Sequence, residues 1–190
     1  MARSWSATRR AALVLGAVAL GGWLLVRLVP TALLVNRAGM SQLVLARDGS
    51  LLRLSLSSDD HYRLWTSLDD IPQAVVDATL LQEDRHFYQH PGMNPWALAR
   101  AVFHTYLRRD RRVGGSTLTM QLARLRFDLD TRTWHGKLAQ MLRAVALESR
   151  YSKREILEAY LNLAPYGGNV GGVGAASWVL FGKPVSQVSA

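Results

Sequence analysis

Residues 69–92 read DDIPQAVVDATLLQEDRHFYQHPG, and this stretch decides the fold class. Asp69 or Asp70 can cap a helix, Pro72 suits its first turn, and Val76, Leu80, Glu83 and Phe87 follow at spacings of four, three and four. That spacing puts the four side chains on one helical face, so an acid stands on an otherwise apolar stripe. Burial there would raise the proton affinity of Glu83 and suit it to take a proton from a sugar hydroxyl. An ion pair with a neighbouring arginine is the structural alternative. Of the four glutamates, Glu155 serves a helix cap and Glu158 lies on that same helix, which leaves Glu148 as the competitor for an acid–base role. His86 and His90 are four apart, but Pro91-Gly92 ends the helix before His90, and no third ligand at zinc-site spacing follows.

Downstream the pattern stays helical. A second helix opens at Asn94-Pro95 and runs to Leu107, and Ser116 can cap a third that carries Leu118, Leu122 and Leu125. Residues 133–149 read as a fourth, and Ser152 with Glu155 forms a capping box for a fifth, KREILEAYLNLA, which Pro165 stops. Five glycines between Gly167 and Gly174 precede a short helix ending at Gly182. Lys183-Pro184 and Ser186 then look like a loop and cap leading into a further helix, so truncation is expected. Upstream, LVLARDGSLLRLSL (residues 43–56) gives two strand-like runs around Asp48-Gly49, a tight hairpin turn and the only clear β signal. The expected whole is one mainly α domain over residues 40–190 with a small β-hairpin.

Arg3, Arg9 and Arg10 precede an apolar run that continues to Val35 with only Arg27 intruding. It is long enough to cross a bilayer, and arginines ahead of it place residues 1–10 in the cytoplasm. Residues 11–35 are therefore expected to be a retained signal anchor, with the domain on the far side. The formal net charge of +9 and the pI near 10.6 predict attraction to anions. Nucleic acid is set aside, because the anchor puts the basic domain outside the cytoplasm and the cations lack interleaved aromatic residues. The chain has no cysteine, so disulfides and thiolate metal sites are excluded.

The second constellation is RRVGGSTLTMQLAR. Gly114 and Gly115 allow close backbone approach, and Ser116 opens a helix whose free amides can face an anion, although Gly-Gly-Ser is also an ordinary helix entry. Arg124, Arg132 and Lys137 lie within one helix-loop-helix unit, and Lys137 and Gln140 are three apart on one face. These residues could converge on a pyrophosphate or form a solvated basic face.

Together, EDRHFYQHPG (83–92), GGSTLTMQLAR (114–124), LESRYSKREILEAYLN (147–162) and PYGGNVGGVGAAS (165–177), in this order and spacing, resemble glycosyltransferase family 51. This is the glycan-polymerising domain of class A penicillin-binding proteins and their monofunctional relatives. TLTMQ, KREILEAYLN and APYGG look most like the penicillin-binding protein 1C subgroup. The resemblance implies a lysozyme-like helical fold that polymerises lipid II into β-1,4-linked glycan strands with inversion and release of undecaprenyl pyrophosphate. Carried over by motif, Glu83 is the base that takes the proton of the acceptor's 4-hydroxyl. Arg124, Arg132 and Lys137 bind pyrophosphate, with Ser116, Thr117, Gln121 and Gln140 lining the cleft. Asp84, Phe87, His90, Gly92, Gly114 and Gly115 support the motifs. The resemblance also implies Mg2+ or Mn2+ at the leaving group and, as partners, lipid II, the growing glycan-lipid, the bacterial cytoplasmic membrane and other cell-wall synthesis proteins. The domain would then be periplasmic. Met120 departs from the family's first of two glutamines, and Gln140 from its second glutamate. A muramidase-like hydrolase and an inactive anchored scaffold are the alternatives.

Overall fold

The computed structural model describes residues 39–94, 96 and 115–188, together with Gly21, Gly22 and Leu34. The chain divides into two compact units, Met1–Thr31 and Ala32–Ala190. In the first, Gly21 and Gly22 are described and helical. The rest of the expected anchor lies outside the described residues, as do Gly114 and the helix expected from Pro95 to Leu107 except Trp96. Among the described residues no helix is long and apolar enough to cross a membrane.

The second unit is mainly helical. Strands β1 (Leu43–Leu45) and β2 (Leu51–Leu54) pair antiparallel, with Leu43 opposite Leu54. The expected turn forms: the Asp48 carboxylate accepts from the Ser50 amide (3.0 Å) and hydroxyl (2.7 Å), and Gly49 takes φ +83°. A second pair joins β3 (Tyr62–Arg63) to β4 (Val170–Gly171) in parallel. This pair leaves no periodic trace, because two residues are too short to show a period.

Among the described residues five longer helices follow. These are α1 (Gln73–Glu83), α2 (Leu118–Phe127), α3 (Trp134–Glu148), α4 (Lys153–Leu163) and α5 (Val173–Phe181). The start of α1 differs from expectation: Ser67 caps a short 3-10 turn, Leu68–Asp70, and Pro72 rather than an aspartate stands at the N-cap of α1. Helix α2 differs too, because Thr117 rather than Ser116 caps it, its hydroxyl accepting from the Met120 amide at 3.2 Å. A cap oxygen must reach the third helical amide, and only Thr117 stands at that distance along the chain. Thr133 caps α3, at the first residue of the helix expected over 133–149, and the Ser152–Glu155 capping box opens α4 and Gly182 closes α5 at φ +65°, as the sequence indicates.

The core is built around α2, which packs against α3 and α4. Leu118, Leu122, Ala123, Ala144, Leu147, Ile156, Leu157 and Leu161 are buried there, with Phe87 and Val76 brought in from the first motif. The remaining glutamates hold this frame together. Glu158 accepts from Trp65 Nε1 (3.2 Å) and the Leu68 amide (2.9 Å), and Asn162 brackets Thr66 by bonding its amide (2.7 Å) and its carbonyl (2.8 Å). Glu148 accepts from Thr119 Oγ1 (2.6 Å) and Lys153 Nζ (2.7 Å). Its oxygen is thus committed to structure, which removes it as a competitor for acid–base chemistry.

Candidate active site

The site begins where α1 stops. The Asp84 amide donates to the Leu80 carbonyl (3.0 Å), and at φ −158° Asp84 then leaves the helix, so that Phe87 arrives in a separate 3-10 turn, Phe87–Gln89. The helical stripe expected from Val76 to Phe87 is therefore cut one turn short. The inward position after Leu80 goes to Asp84, which is buried, whereas Glu83 is exposed. This corrects the expectation of a Glu83 withheld from water: neighbouring carboxylates divide the two properties, one buried and structural, the other facing the cleft.

Asp84 accepts from the Leu118 amide (3.0 Å) at the first turn of α2, where a carboxylate also meets the positive end of the helix dipole. His90 Nε2 lies 3.0 and 3.1 Å from the two Asp84 oxygens, so His90 bonds its own loop instead of a metal. Thr117 Oγ1 donates to the Gly92 carbonyl (2.6 Å). From the other side, Lys153 Nζ donates to the His90 carbonyl (2.7 Å) and stands 4.3 Å over the Phe87 ring. Residues 84–92 are thus pinned to α2, α3 and α4, which fixes where Glu83 points. Asp84→Ala leaves the Leu118 and His90 donors buried without an acceptor. It should lower stability by about 3 kcal/mol in chaotrope unfolding. Gly92 sits at φ +86° with the Ala144 carbonyl oxygen only 2.8 Å from where a Cβ would be. Gly92→Ala should cost about 2 kcal/mol or more in the same measurement.

Glu83 Oε2 accepts from Gln121 Nε2 at 2.7 Å, and Gln121 Oε1 in turn accepts from the Tyr160 hydroxyl at 3.3 Å. Burial, and next the negative charge of Glu83, push the Tyr160 and Tyr166 phenols above their ordinary value. Tyr160 thus belongs to this site through its bond to Gln121, and sequence reasoning missed it. The available signal was Tyr160 in step with Ile156 on the inward face of α4, a hydroxyl on an apolar stripe that must find a partner. A cavity of about 270 Å³ opens beside Glu83, lined also by His86, Asn94, Gly115, Ser116 and Thr117.

The cations lie along α2 from there. Lys137 Nζ donates to Ser116 Oγ (2.7 Å) and Gln140 Oε1 (2.8 Å), while buried Gln140 donates through Nε2 to the Met120 carbonyl (2.7 Å). Ser116, relieved of capping, is free to hold Lys137. Burial first, and then the charge of Arg124, hold the Lys137 ammonium below its ordinary value. Two cations near each other and short of counter-charge make a place for an anion. Arg124 follows Gln121 by three residues on α2, and its charge reaches both Tyr160 and Lys137. Arg132 is exposed before α3, with its backbone amide on Asp130 Oδ1 (3.0 Å).

Among the described residues no three His, Asp or Glu side chains gather, and the Gln140 oxygen takes the lysine ammonium.

This fold and cleft agree with the family comparison, in which residues 49–190 match the model for "Transglycosylase"; the chain belongs to that family. Among its relatives, penicillin-binding protein 1C of Escherichia coli is 41% identical over 155 residues, 82% of this chain and 20% of that protein. A biosynthetic peptidoglycan transglycosylase of Pasteurella multocida is 38% identical over 142 residues, 74% of this chain and 56% of that protein. Penicillin-binding protein 1B of Vibrio cholerae is 44% identical over 131 residues, covering 66% and 17%. The chain thus spans between about a sixth and just over half the length of these curated relatives.

Proposed function

We propose that this chain is a peptidoglycan glycosyltransferase that polymerises lipid II on the outer side of the bacterial cytoplasmic membrane, held there by residues 11–35. The observation that carries the reading is the arrangement at the start of α2: Gln121 holds Glu83, and Ser116, which lines the same cavity as Glu83, holds Lys137. One substrate lying along this helix would meet an acid at its sugar and cations at its diphosphate. Glu83 takes the proton of the acceptor's 4-hydroxyl, and the oxygen forms its bond to the donor's anomeric carbon with inversion. The bond from that carbon to the lipid diphosphate breaks, and the electron pair leaves on the diphosphate, beside Lys137 and Arg124. An exposed carboxylate becomes a stronger base once a bound sugar displaces the water over it, so the exposure of Glu83 in the free chain suits this role.

Magnesium or manganese, which the family resemblance implies, has no described carboxylate cluster to hold it, and no step is assigned to it. A lysozyme-like course of the chain and contact with other cell-wall synthesis proteins belong to the same reading. Incubating the purified chain with fluorescent lipid II tests it. Long glycan that a muramidase degrades is expected, and lipid II left unconsumed would overturn the reading.

A further inference from the structure

We infer that Tyr160 is a positioning residue that fixes which way the Gln121 amide faces and so keeps its N–H donor on Glu83. The inference rests on the reading of Glu83 as the base. A glutamine amide can present either its oxygen or its nitrogen to a neighbour, and the two choices are nearly equal in shape. Here both ends of the line decide. Glu83 can only accept, so the nitrogen must face it, as the 2.7 Å contact shows. The oxygen then needs a donor, and the Tyr160 hydroxyl at 3.3 Å is the one present. Tyr160 keeps its proton because the ring is buried and the charge of Glu83 opposes a second anion nearby. The phenol is therefore always a donor, and the direction Tyr160 to Gln121 to Glu83 has no competing reversal. Without the hydroxyl, Gln121 loses the anchor on its oxygen, and its amide is free to swing away from the line to Glu83. Glu83 would then lose its fixed aim at the incoming hydroxyl, although the substrate's other contacts remain.

The test uses the full chain in detergent and the variants Tyr160→Phe, Gln121→Ala and the double variant. Tyr160→Phe should lower kcat on lipid II about ten-fold with KM changed less than about two-fold. In the Gln121→Ala background it should have almost no further effect. A Tyr160→Phe chain that turns over like the parent, or an equal loss with and without Gln121, would overturn the inference. A second measurement needs no turnover. In nitrogen-15 NMR spectra the Gln121 side-chain amide, identified by its disappearance in Gln121→Ala, should shift in Tyr160→Phe as strongly as in Glu83→Gln. An unmoved resonance in Tyr160→Phe sinks the inference as well. If instead Glu83→Gln retains turnover while the resonance responds to Tyr160→Phe, the reading of Glu83 as base fails and the positioning role stands.

Discussion

Glu83→Gln is expected to lower lipid II turnover by about 10²- to 10⁴-fold, the usual contribution of a positioned general base. The amide has the same shape, and its oxygen can still accept from Gln121 Nε2, so the contact at 2.7 Å survives. What it lacks is the capacity to take the proton of the attacking hydroxyl. Since Glu83 is exposed and carries none of the core, the unfolding free energy should stay within about 0.5 kcal/mol of the parent. Asp84 supplies the contrast. One residue further on, Asp84→Ala should reduce activity by loosening the loop and should be visible first as lost stability, because its carboxylate holds Leu118 and His90. Turnover and unfolding measured on both variants separate the acid that reacts from the acid that holds the site in place.

The second large effect is expected at Lys137. Lys137→Gln removes the charge from the pair with Arg124, and kcat/KM should fall by about 10²- to 10³-fold, as when a donor to developing negative charge is lost. Stability should move little, within about 1 kcal/mol, because two terms oppose. The bonds to Ser116 and Gln140 are weakened, while a half-buried ammonium facing another cation is removed. Inorganic pyrophosphate should raise the unfolding free energy of the parent, by about 2.7 kcal/mol at a hundred times its dissociation constant, and should do much less for Lys137→Gln. Arg132→Gln, by comparison, should cost less of that protection, since Arg132 is exposed and solvent screens its charge.

Local rules made much of this fold legible. The Ser152–Glu155 box, the Asp48-Gly49 turn and the Gly182 stop each act within a few residues, and each forms where the sequence places it. The misreadings arose where tertiary contacts outweighed local pattern. The apolar spacing through Phe87 looked like one helix, but Asp84 gains the α2 amide and His90 by turning inward, and this ends α1 and leaves Glu83 at the surface. Ser116 and Thr117 are equivalent caps in sequence, and only the position of Lys137 shows why the serine is used elsewhere. The pairing of β3 with β4 joins segments at opposite ends of the domain and has no periodic trace. Within the site, Glu83, Gln121, Arg124 and Lys137 were all recoverable from motif and charge. Tyr160 was hidden because a tyrosine in an apolar helix reads as core until its hydroxyl is seen to have a partner.

The account rests on one substrate meeting both Glu83 and the Lys137–Arg124 pair. An experimental structure of the chain with a non-reactive lipid II analogue tests this most directly. The account predicts the sugar 4-hydroxyl oxygen within about 2.6–3.2 Å of a Glu83 carboxylate oxygen, with the diphosphate in contact with Lys137 and Arg124. A diphosphate bound elsewhere, with Lys137 still tied only to Ser116 and Gln140, would contradict it.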